Sequence, residues 1–494
     1  MAKLLTIGSP GGAEYTAPGP SVEKVHKRTH AAMSQRVYLL IRGSFGLGSL
    51  FVSTLLLFFS VDLEAKPNIV LIVADDLGYG DVGCYGSTLN RTPHLDRLAA
   101  NGLKFTDFHS NGPMCTPTRV ALLTGCYQQR FGRLFDGPLS GVSDYDKGLP
   151  LEAITIAETL REAGYVTGAF GKWHLGYHPP HMPTRQGFDE FRGLASGDGD
   201  HHTHIDRSGR EDWWHDETKV KERGYTADLL TRHAVRFIEC NKERPFFVYL
   251  PHLAIHFPWQ GPDDPPHRVT GKDYNRDKWG LIPDRKNVHP HVKAMVEAVD
   301  ASVGEIVATL EKYDLAKNTL VVFTSDNGGY LTYGRDFRNI SSNGPLRGQK
   351  GDLYEGGHRV PAIFYWPGRI KPGQVSDQTV LTMDLFPTFT GLAGARVSGQ
   401  KKLDGIDTAR LLFEGTSLPD RTVFWRKRDL RAIRRGPWKL VFSEDEEPEL
   451  YHLEKDIGET PNLAESKPTL VRQLTAAWKN WEQEMDSDFR KDTR

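Results

Sequence analysis

Cysteine is scarce in this chain of 494 residues, which contains only Cys84, Cys115, Cys126 and Cys240. Their spacing matches no zinc-binding pattern, and so few thiols exclude a disulfide framework as the main source of stability. An excess of one charge is also missing, since the formal net charge is -1 at pH 7. Without an overall basic field, we expect no nucleic-acid partner.

A long apolar run occurs once, near the N-terminus, from Gly43 to Val61. The basic residues Arg36 and Arg42 precede the run and a short linker to Ala65 follows it, which is typical of a secretory signal peptide. Residues 1–65 are therefore predicted to be an N-terminal extension and signal peptide, and the mature protein is expected to be secreted or periplasmic. The run is nearly long enough to span a bilayer, so an uncleaved membrane anchor is the alternative.

Apolar runs rich in β-branched residues recur at Asn68–Ala74, Phe246–Leu250, Leu320–Thr324 and Ala362–Trp366. Uninterrupted runs of this kind are typical of strands that are buried on both faces. Helical patterns alternate with them, at Ile154–Ala163, Tyr225–Cys240 and Val292–Leu310. The alternation predicts an α/β fold over residues 66–375, with a large, mostly parallel sheet sandwiched by helices.

The pattern changes near residue 375. Three short strands are predicted at Thr422–Arg426, Arg431–Ile433 and Trp438–Phe442, and a helix at about Pro468–Glu484 follows them. We therefore expect residues 376–494 to form a smaller C-terminal subdomain, built from an antiparallel sheet and a helix.

Polar side chains follow two of the predicted strands. Asp75 and Asp76 come directly after the first strand, and Asp326 and Asn327 follow the strand Leu320–Thr324. In open α/β sheets the active site lies at the carboxyl ends of the strands. Carboxylate and amide oxygens suit a hard cation such as Ca²⁺ or Mg²⁺, although acidic residues after strands are also common turn formers and helix caps.

Basic and imidazole groups occur beside these positions, at Arg119, Lys172, His174, His256 and Lys350. Each taken alone could be a solvated surface or loop residue. Brought together beside a metal, they would form a site for a multiply charged anion.

The segment Pro113–Gly125, PMCTPTRVALLTG, resembles the signature of the type I sulfatases, the formylglycine-dependent branch of the alkaline phosphatase superfamily. Its central Cys-x-Pro-x-Arg is the pattern that the formylglycine-generating enzyme reads. A second family signature is nearly matched at Gly164–His174, where Phe170 stands in place of a usually smaller residue. Further likenesses follow in family order at Ala74–Asp81, Ala254–Pro258, Ser325–Gly329 and Lys350–Pro361, so that the resemblance covers about residues 66–465.

The resemblance implies a sulfuric ester hydrolase of the arylsulfatase type, in which a maturation enzyme converts Cys115 to formylglycine (3-oxoalanine). It implies that one Ca²⁺, with Mg²⁺ as the alternative, is bound by Asp75, Asp76, Asp326 and Asn327. The implied catalytic residues are Cys115, Arg119, Lys172, His174, His256, Lys350 and Asp326. The implied substrate-binding residues are Lys172, His256, Lys350 and Ser196, the last on a weak motif. Asp326 is the expected base, and His256 is the expected acid because an ordinary imidazole titrates near neutrality.

The segment Gly197–Arg223 has no periodicity and is expected to be a long surface loop. It carries several rings, at His201, His202, His204, Trp213, Trp214 and His215. Because indole rings stack on sugar faces, these residues favour a sulfated polysaccharide or glycosaminoglycan as the natural substrate, with aryl sulfates as assay substrates. The alternative is that the tryptophans pack on the protein body.

Two other functions remain open at this stage. Hydrolases of phosphonates or phosphate esters share the fold and the Cys-x-Pro-x-Arg pattern. A non-catalytic glycan-binding homologue is a third possibility, but the intact basic set around Cys115 disfavours it.

Overall fold

A computed structural model describes residues 66–399 and 402–492 of the chain. The predicted N-terminal extension and signal peptide lie outside the described residues. Across the two described ranges, no helix combines the length and the apolar character needed to cross a membrane.

The described residues form the strands β1 to β16. They are β1 (Asn68–Ala74), β2 (Leu103–Phe105), β3 (Phe108–His109), β4 (Val166–Lys172), β5 (Glu190–Leu194), β6 (Trp214–His215), β7 (Thr218–Lys219), β8 (Phe246–Pro251), β9 (Thr319–Ser325), β10 (Ala362–Tyr365), β11 (Gln374–Ser376), β12 (Val380–Leu381), β13 (Thr422–Lys427), β14 (Leu430–Arg435), β15 (Trp438–Phe442) and β16 (Glu449–His452).

The α-helices are α1 (Pro93–Ala100), α2 (Cys115–Thr124), α3 (Ile156–Glu162), α4 (Thr226–Asn241), α5 (His289–Lys312), α6 (Glu355–His358), α7 (Leu385–Leu392), α8 (Ala409–Glu414) and α9 (Pro468–Asp492). Several begin and end where their sequences predict. Thr155 caps α3 by accepting the Glu158 N–H, and Gly164, which follows the end of α3, has the positive φ of 89° that glycine tolerates.

The large sheet has ten strands in the order β11-β2-β10-β9-β1-β8-β4-β5-β6-β7. Its centre is parallel, because β1 pairs in parallel with both β8 and β9, and β4 pairs in parallel with β5 and β8. The strand β10 runs antiparallel to β9. The predicted α/β class with a large, mostly parallel sheet is therefore confirmed.

Strand β1 shows why its run of apolar residues is uninterrupted. Ile69, Leu71 and Val73 join one apolar cluster, which includes side chains from α2, α3 and α7. Val70 and Ile72 point the other way, into a cluster with side chains from α1, α4 and α5. Both faces of the sheet are thus covered by helices, as the sequence predicts.

A separate four-stranded antiparallel sheet, β13-β14-β15-β16, packs with α9. Trp425, Trp478 and Trp481 are buried in its core. This confirms the predicted small antiparallel sheet with a C-terminal helix. The division of the chain at residue 375 stays a prediction; β11 spans that position and belongs to the large sheet.

Candidate active site

One edge of the large sheet gathers the polar residues of the predicted site. Asp75 and Asp76 follow β1, Asp326 follows β9, and Lys172 ends β4. These strands belong to the parallel centre of the sheet, so their carboxyl ends meet at the same edge. Cys115 comes to this edge as the first residue of α2.

Cys115 is buried and surrounded by charged groups. Its Sγ lies 3.4 Å from Lys172 Nζ, 3.2 Å from Lys350 Nζ and 3.6 Å from Asp75 Oδ1. Burial raises the pKa of the Cys115 thiol to about 12, with Asp75 acting in the same direction. The unmodified thiol therefore stays protonated at neutral pH and is a weak nucleophile. Its place at a helix N-terminus nevertheless favours negative charge on whatever group residue 115 carries.

Arg119, one helical turn after Cys115, holds two parts of the site together. Its Nε and Nη2 donate to Asp326 Oδ2 at 3.1 and 2.7 Å, and its Nη1 donates to the carbonyl of Lys172 at 2.7 Å. The side chain is fully buried. Arg119 thereby fixes α2 against the ends of β9 and β4.

Asp75, Asp76 and Asp326 form a carboxylate cluster, with ligand atoms that all lie within 4.8 Å of one another. Lys172 donates to Asp75 and Lys350 donates to Asp76, while Asn327 Nδ2 donates to Asp76 Oδ1 at 2.8 Å. Burial raises the pKa of both Asp75 and Asp326. Such a cluster is costly to bury unless cations compensate it.

The cluster fits a hard divalent cation. Two buried oxygens of this site, Asp76 Oδ2 and Asn327 Oδ1, have no hydrogen-bond partner among the residues that the structure describes. Buried acceptors normally receive a hydrogen bond, so two oxygens without one, at a cluster of three carboxylates, indicate that a ligand binds there. The donors are all oxygen, which suits Ca²⁺ or Mg²⁺ better than a soft metal.

His174 follows Lys172 by two residues and has the positive φ of 56°. Its Nε2 donates to the carbonyl of Leu139 at 3.0 Å, and its buried Nδ1 has no hydrogen-bond partner within residues 66–399 and 402–492. In this tautomer Nδ1 is an acceptor. Burial and the neighbouring Lys172 hold the pKa of His174 well below its usual range, so the ring is neutral.

His256 Nε2 lies 4.0 Å from Asp76 Oδ2, and its Nδ1 donates to the carbonyl of Phe257 at 2.8 Å. Burial, Lys172 and Lys350 hold the pKa of His256 well below its ordinary value. The argument that an ordinary imidazole pKa makes His256 the acid therefore does not apply at this position. His256 nevertheless lines the same pocket as Lys350.

A pocket of about 330 Å³ opens from this cluster. Cys115, His174, Ser196, His256 and Lys350 all line it. Ser196 Oγ donates to the carbonyl of Asp198 at 2.7 Å, and its backbone is held by Asp212. Of the predicted site residues, these five face the pocket, while Arg119, Lys172 and the carboxylate cluster support Cys115 from behind the lining.

The expectation that the rings of Gly197–Arg223 contact a sugar is wrong for its tryptophans, which are buried in the body and are not part of the pocket lining. Trp213 Nε1 donates to Glu222 and Trp214 Nε1 donates to Asp212, at 2.9 and 2.6 Å. His204 stacks on Trp213 with ring centroids 4.2 Å apart. Internal partners for the indole N–H groups make burial of these rings more favourable than exposure.

Sequence reasoning missed several residues that line the pocket: Tyr177, Arg207, Phe257, Lys278, Tyr330, Tyr333 and Arg428. Signals were available for three of them, because Phe257 lies in the family likeness Ala254–Pro258 and the two tyrosines Tyr330 and Tyr333 follow Asp326 and Asn327 closely. The others come from loops whose paths no periodicity predicts.

The known proteins that this chain resembles include several sulfatases. The sequence model of a family described as Sulfatase matches residues 67–395. Arylsulfatase A of Homo sapiens is 35% identical over 447 residues, which cover 80% of this chain and 83% of that protein. N-acetylgalactosamine-6-sulfatase of Canis lupus familiaris is 35% identical over 395 residues, covering 76% of this chain and 72% of that protein. The solved structure of Ps i-CgsB in complex with k-i-k-neocarrahexaose matches with a TM-score of 0.73 and 35% identity, covering 84% of this chain and 93% of that one.

Proposed function

Since the chain belongs to the sulfatase family and is a sulfuric ester hydrolase, we propose that it removes sulfate from sulfated carbohydrates, with a formylglycine at position 115 and one bound Ca²⁺. The main support for this proposal is the position of Cys115 and its contacts. It starts a helix, touches Lys172 and Lys350, and faces a buried carboxylate cluster.

The proposed reaction has two steps. Conversion gives residue 115 an aldehyde, which adds water to carry two hydroxyls on one carbon. One hydroxyl oxygen attacks sulfur, the bond from sulfur to the substrate alcohol breaks, and a covalent sulfate ester forms at residue 115. The other hydroxyl then loses its proton, the aldehyde reforms, and the bond from the residue 115 carbon to the sulfate oxygen breaks. A serine at this position would lack the second exit.

The protein groups around residue 115 have distinct proposed parts in these steps. Asp326, held by Arg119 at 2.7 Å, takes the proton of the attacking hydroxyl. His174 takes the proton of the second hydroxyl, for which its unpartnered Nδ1 is suited. Lys172 and Lys350 hold the oxygens of residue 115 and of the sulfate, because both ammonium groups already lie within 3.4 Å of the Cys115 sulfur.

His256 and Lys350 line the same pocket and are the groups proposed to bind the sulfate. Lys350 is proposed to protonate the leaving alcohol, because a neutral His256 that donates from Nδ1 carries no proton on Nε2. Ser196 is proposed as a further substrate contact on the pocket wall. Asp75, Asp76, Asp326 and Asn327 would hold the cation, which when bound supplies Lewis-acid polarisation of the reacting oxygens.

Two observations support a carbohydrate as the natural substrate. The pocket is lined by tyrosines and cations together, at Tyr177, Tyr330, Tyr333, Arg207 and Lys278, and such a lining suits an anionic sugar. Two of the similar proteins are an N-acetylgalactosamine-6-sulfatase and a structure that contains a neocarrahexaose.

We further propose that the chain is secreted or periplasmic through its N-terminal signal peptide, with a retained membrane anchor as the alternative, and that residue 115 is converted before the protein has folded. Cys115 is only 2% exposed in the folded protein. We therefore propose that a maturation enzyme reaches it before folding is complete. Sequencing the N-terminus of the secreted protein would locate the cleavage site and would distinguish a cleaved signal from a retained anchor.

The proposed function is tested by kinetics on fully converted protein. We expect turnover of an aryl sulfate, faster turnover of a sulfated oligosaccharide, and much slower turnover of an aryl phosphodiester. Cys115→Ala should lose turnover of all three. If the phosphodiester is the best substrate, the chain is a phosphate-ester hydrolase of the same fold. If converted protein hydrolyses none of them but binds sulfated glycans, it is a binding protein.

A further inference from the structure

The pocket wall beside His256 carries two cations that the proposed mechanism does not use. They flank the ring of Phe257, with the Arg207 guanidinium carbon 5.6 Å and Lys278 Nζ 5.3 Å from its centroid. Both residues line the same pocket as Cys115. Cations at this position would meet the part of a substrate next to the reacting sulfate.

Lys278 is not neutralised by an acid. Its Nζ also lies 5.9 Å from the ring centroid of Trp279 and 5.3 Å from that of Tyr333. Among residues 66–399 and 402–492, no carboxylate oxygen lies within 4.0 Å of this ammonium. Its backbone carbonyl accepts a hydrogen bond from the buried Arg268, which fixes where the side chain starts. The aromatic rings therefore hold a full positive charge in the pocket.

Arg207 is only partly neutralised, because it shares one carboxylate with Arg268. Asp198 accepts from Arg207 Nε at 3.1 Å and from Arg268 Nη2 at 3.1 Å. Burial alone would raise the pKa of Asp198, but the two guanidinium groups hold it below its ordinary value. Two cations against one carboxylate leave a net positive charge. Arg207 is the partly exposed member of the pair, at 32%, whereas Arg268 is fully buried.

A third cation comes from the small sheet. Arg428 is exposed at the turn between β13 and β14 and lines the pocket. Its neighbour Lys427 donates to the carbonyl of Gly351 at 2.6 Å, which anchors the turn beside Lys350. Arg210 is not included with these three cations, because its Nε donates to Asp206 Oδ2 at 2.7 Å and this carboxylate neutralises its charge.

From these contacts we infer that Arg207, Lys278 and Arg428 form a second anion subsite, which binds another sulfate or a carboxylate group of the same carbohydrate. The inference rests on the proposed function, since it places the second anion on the sugar that carries the reacting sulfate. Like charges gathered in one pocket repel each other, and a polyanionic substrate removes that repulsion and gains charge-assisted hydrogen bonds.

The test compares three disaccharides that share one backbone and one reacting sulfate. The first carries only that sulfate, the second carries another sulfate as well, and the third carries a uronate carboxylate as well. Lys278→Met keeps the apolar stem among the aromatic rings and removes the charge. The matched control is Lys272→Met, because Lys272 also stacks on a tyrosine, 4.9 Å from the Tyr274 centroid, but does not line the pocket. Arg207→Gln is a second variant that keeps a donor for Asp198.

Wild-type protein should prefer at least one of the doubly charged substrates, and its preference should weaken as salt is added. In Lys278→Met and Arg207→Gln, the ratio of kcat/KM for the doubly charged to the monosulfated substrate should fall about tenfold. In Lys272→Met the ratio should equal that of the wild type. If the ratio falls for the disulfated substrate, the second anion is a sulfate. If it falls for the uronate-containing substrate, the second anion is a carboxylate.

The same ratio in all four proteins, or a wild type without preference, would overturn the subsite. These outcomes leave the proposed function intact, since the monosulfated substrate is still hydrolysed. Failure of converted wild-type protein to hydrolyse any of the three sulfate esters would instead reject the proposed function.

Discussion

At the scale of single residues, the chemistry of the site depends on a few buried charges that compensate one another. Arg119 contacts Asp326 and Asp75, while Lys172 contacts Asp75 and Lys350 contacts Asp76. The sequence predicts these groups well, because most follow strands or lie in the signature segment. It could not predict Lys278 or Arg207 in the pocket, since their positions depend on the paths of long loops.

Asp326→Asn should weaken Ca²⁺ binding by more than about tenfold, because the neutral amide replaces one charge of the carboxylate cluster. Calorimetric titration of Ca²⁺ into the variant measures this directly, and turnover should fall with it. Asp336→Ala is the control, since Asp336 is an exposed aspartate whose side chain is 65% accessible. Unchanged Ca²⁺ affinity in Asp326→Asn would contradict the metal assignment.

At the scale of elements, the site depends on loops that are held in place by hydrogen bonds to buried carboxylates. Asp212 accepts from the backbone N–H groups of Ala195 and Ser196 and from Trp214 Nε1, at 3.3, 2.9 and 2.6 Å. It thus fixes the segment that carries Ser196 into the pocket. The apolar runs predict β1, β8 and β9 to within one residue of their bounds, but a loop held by one buried carboxylate leaves no periodic signal.

Burial raises the pKa of Asp212 from 3.8 to about 6. Between these values the folded protein binds more protons than the unfolded chain, so the Asp212 contribution to stability falls as pH rises from about 4 to 6. Asp212→Asn removes this titration. The free energy of unfolding of the variant relative to wild type should therefore rise by about 2 kcal/mol between pH 4 and pH 7. Denaturant melts at several pH values measure the difference, and a pH-independent difference would contradict the assignment.

At the scale of the whole molecule, a buried ionic network joins the small sheet to α6 and to the loop that follows β2 of the large sheet. Lys439 on β15 contacts Glu355 at 2.8 Å and Glu459 at 2.9 Å, and Arg434 on β14 contacts Asp107 at 2.7 Å. The C-terminal sheet also brings Arg428 to the pocket. The sequence predicts that both sheets exist, but the contacts between them pair residues far apart in the chain and could not be predicted from pattern.

Lys439→Met should destabilise the fold by about 3–5 kcal/mol, because it leaves two buried carboxylates without their shared cation. Thermal unfolding monitored by circular dichroism measures the loss. Arg185→Met is the control, since Arg185 pairs with Glu217 on the surface, where its side chain is 58% exposed, and little change is expected there. Equal effects of the two substitutions would show that the network does not hold the sheets together.

We propose that residue 115 acts as a formylglycine. The most direct test prepares the protein with different levels of the maturation enzyme and measures, on each sample, the mass of the peptide containing residue 115 and the rate of aryl sulfate hydrolysis. Conversion should lower the peptide mass by about 18 Da, and the rate should rise in proportion to the converted fraction. Full activity in samples whose peptide retains the cysteine mass would contradict the account.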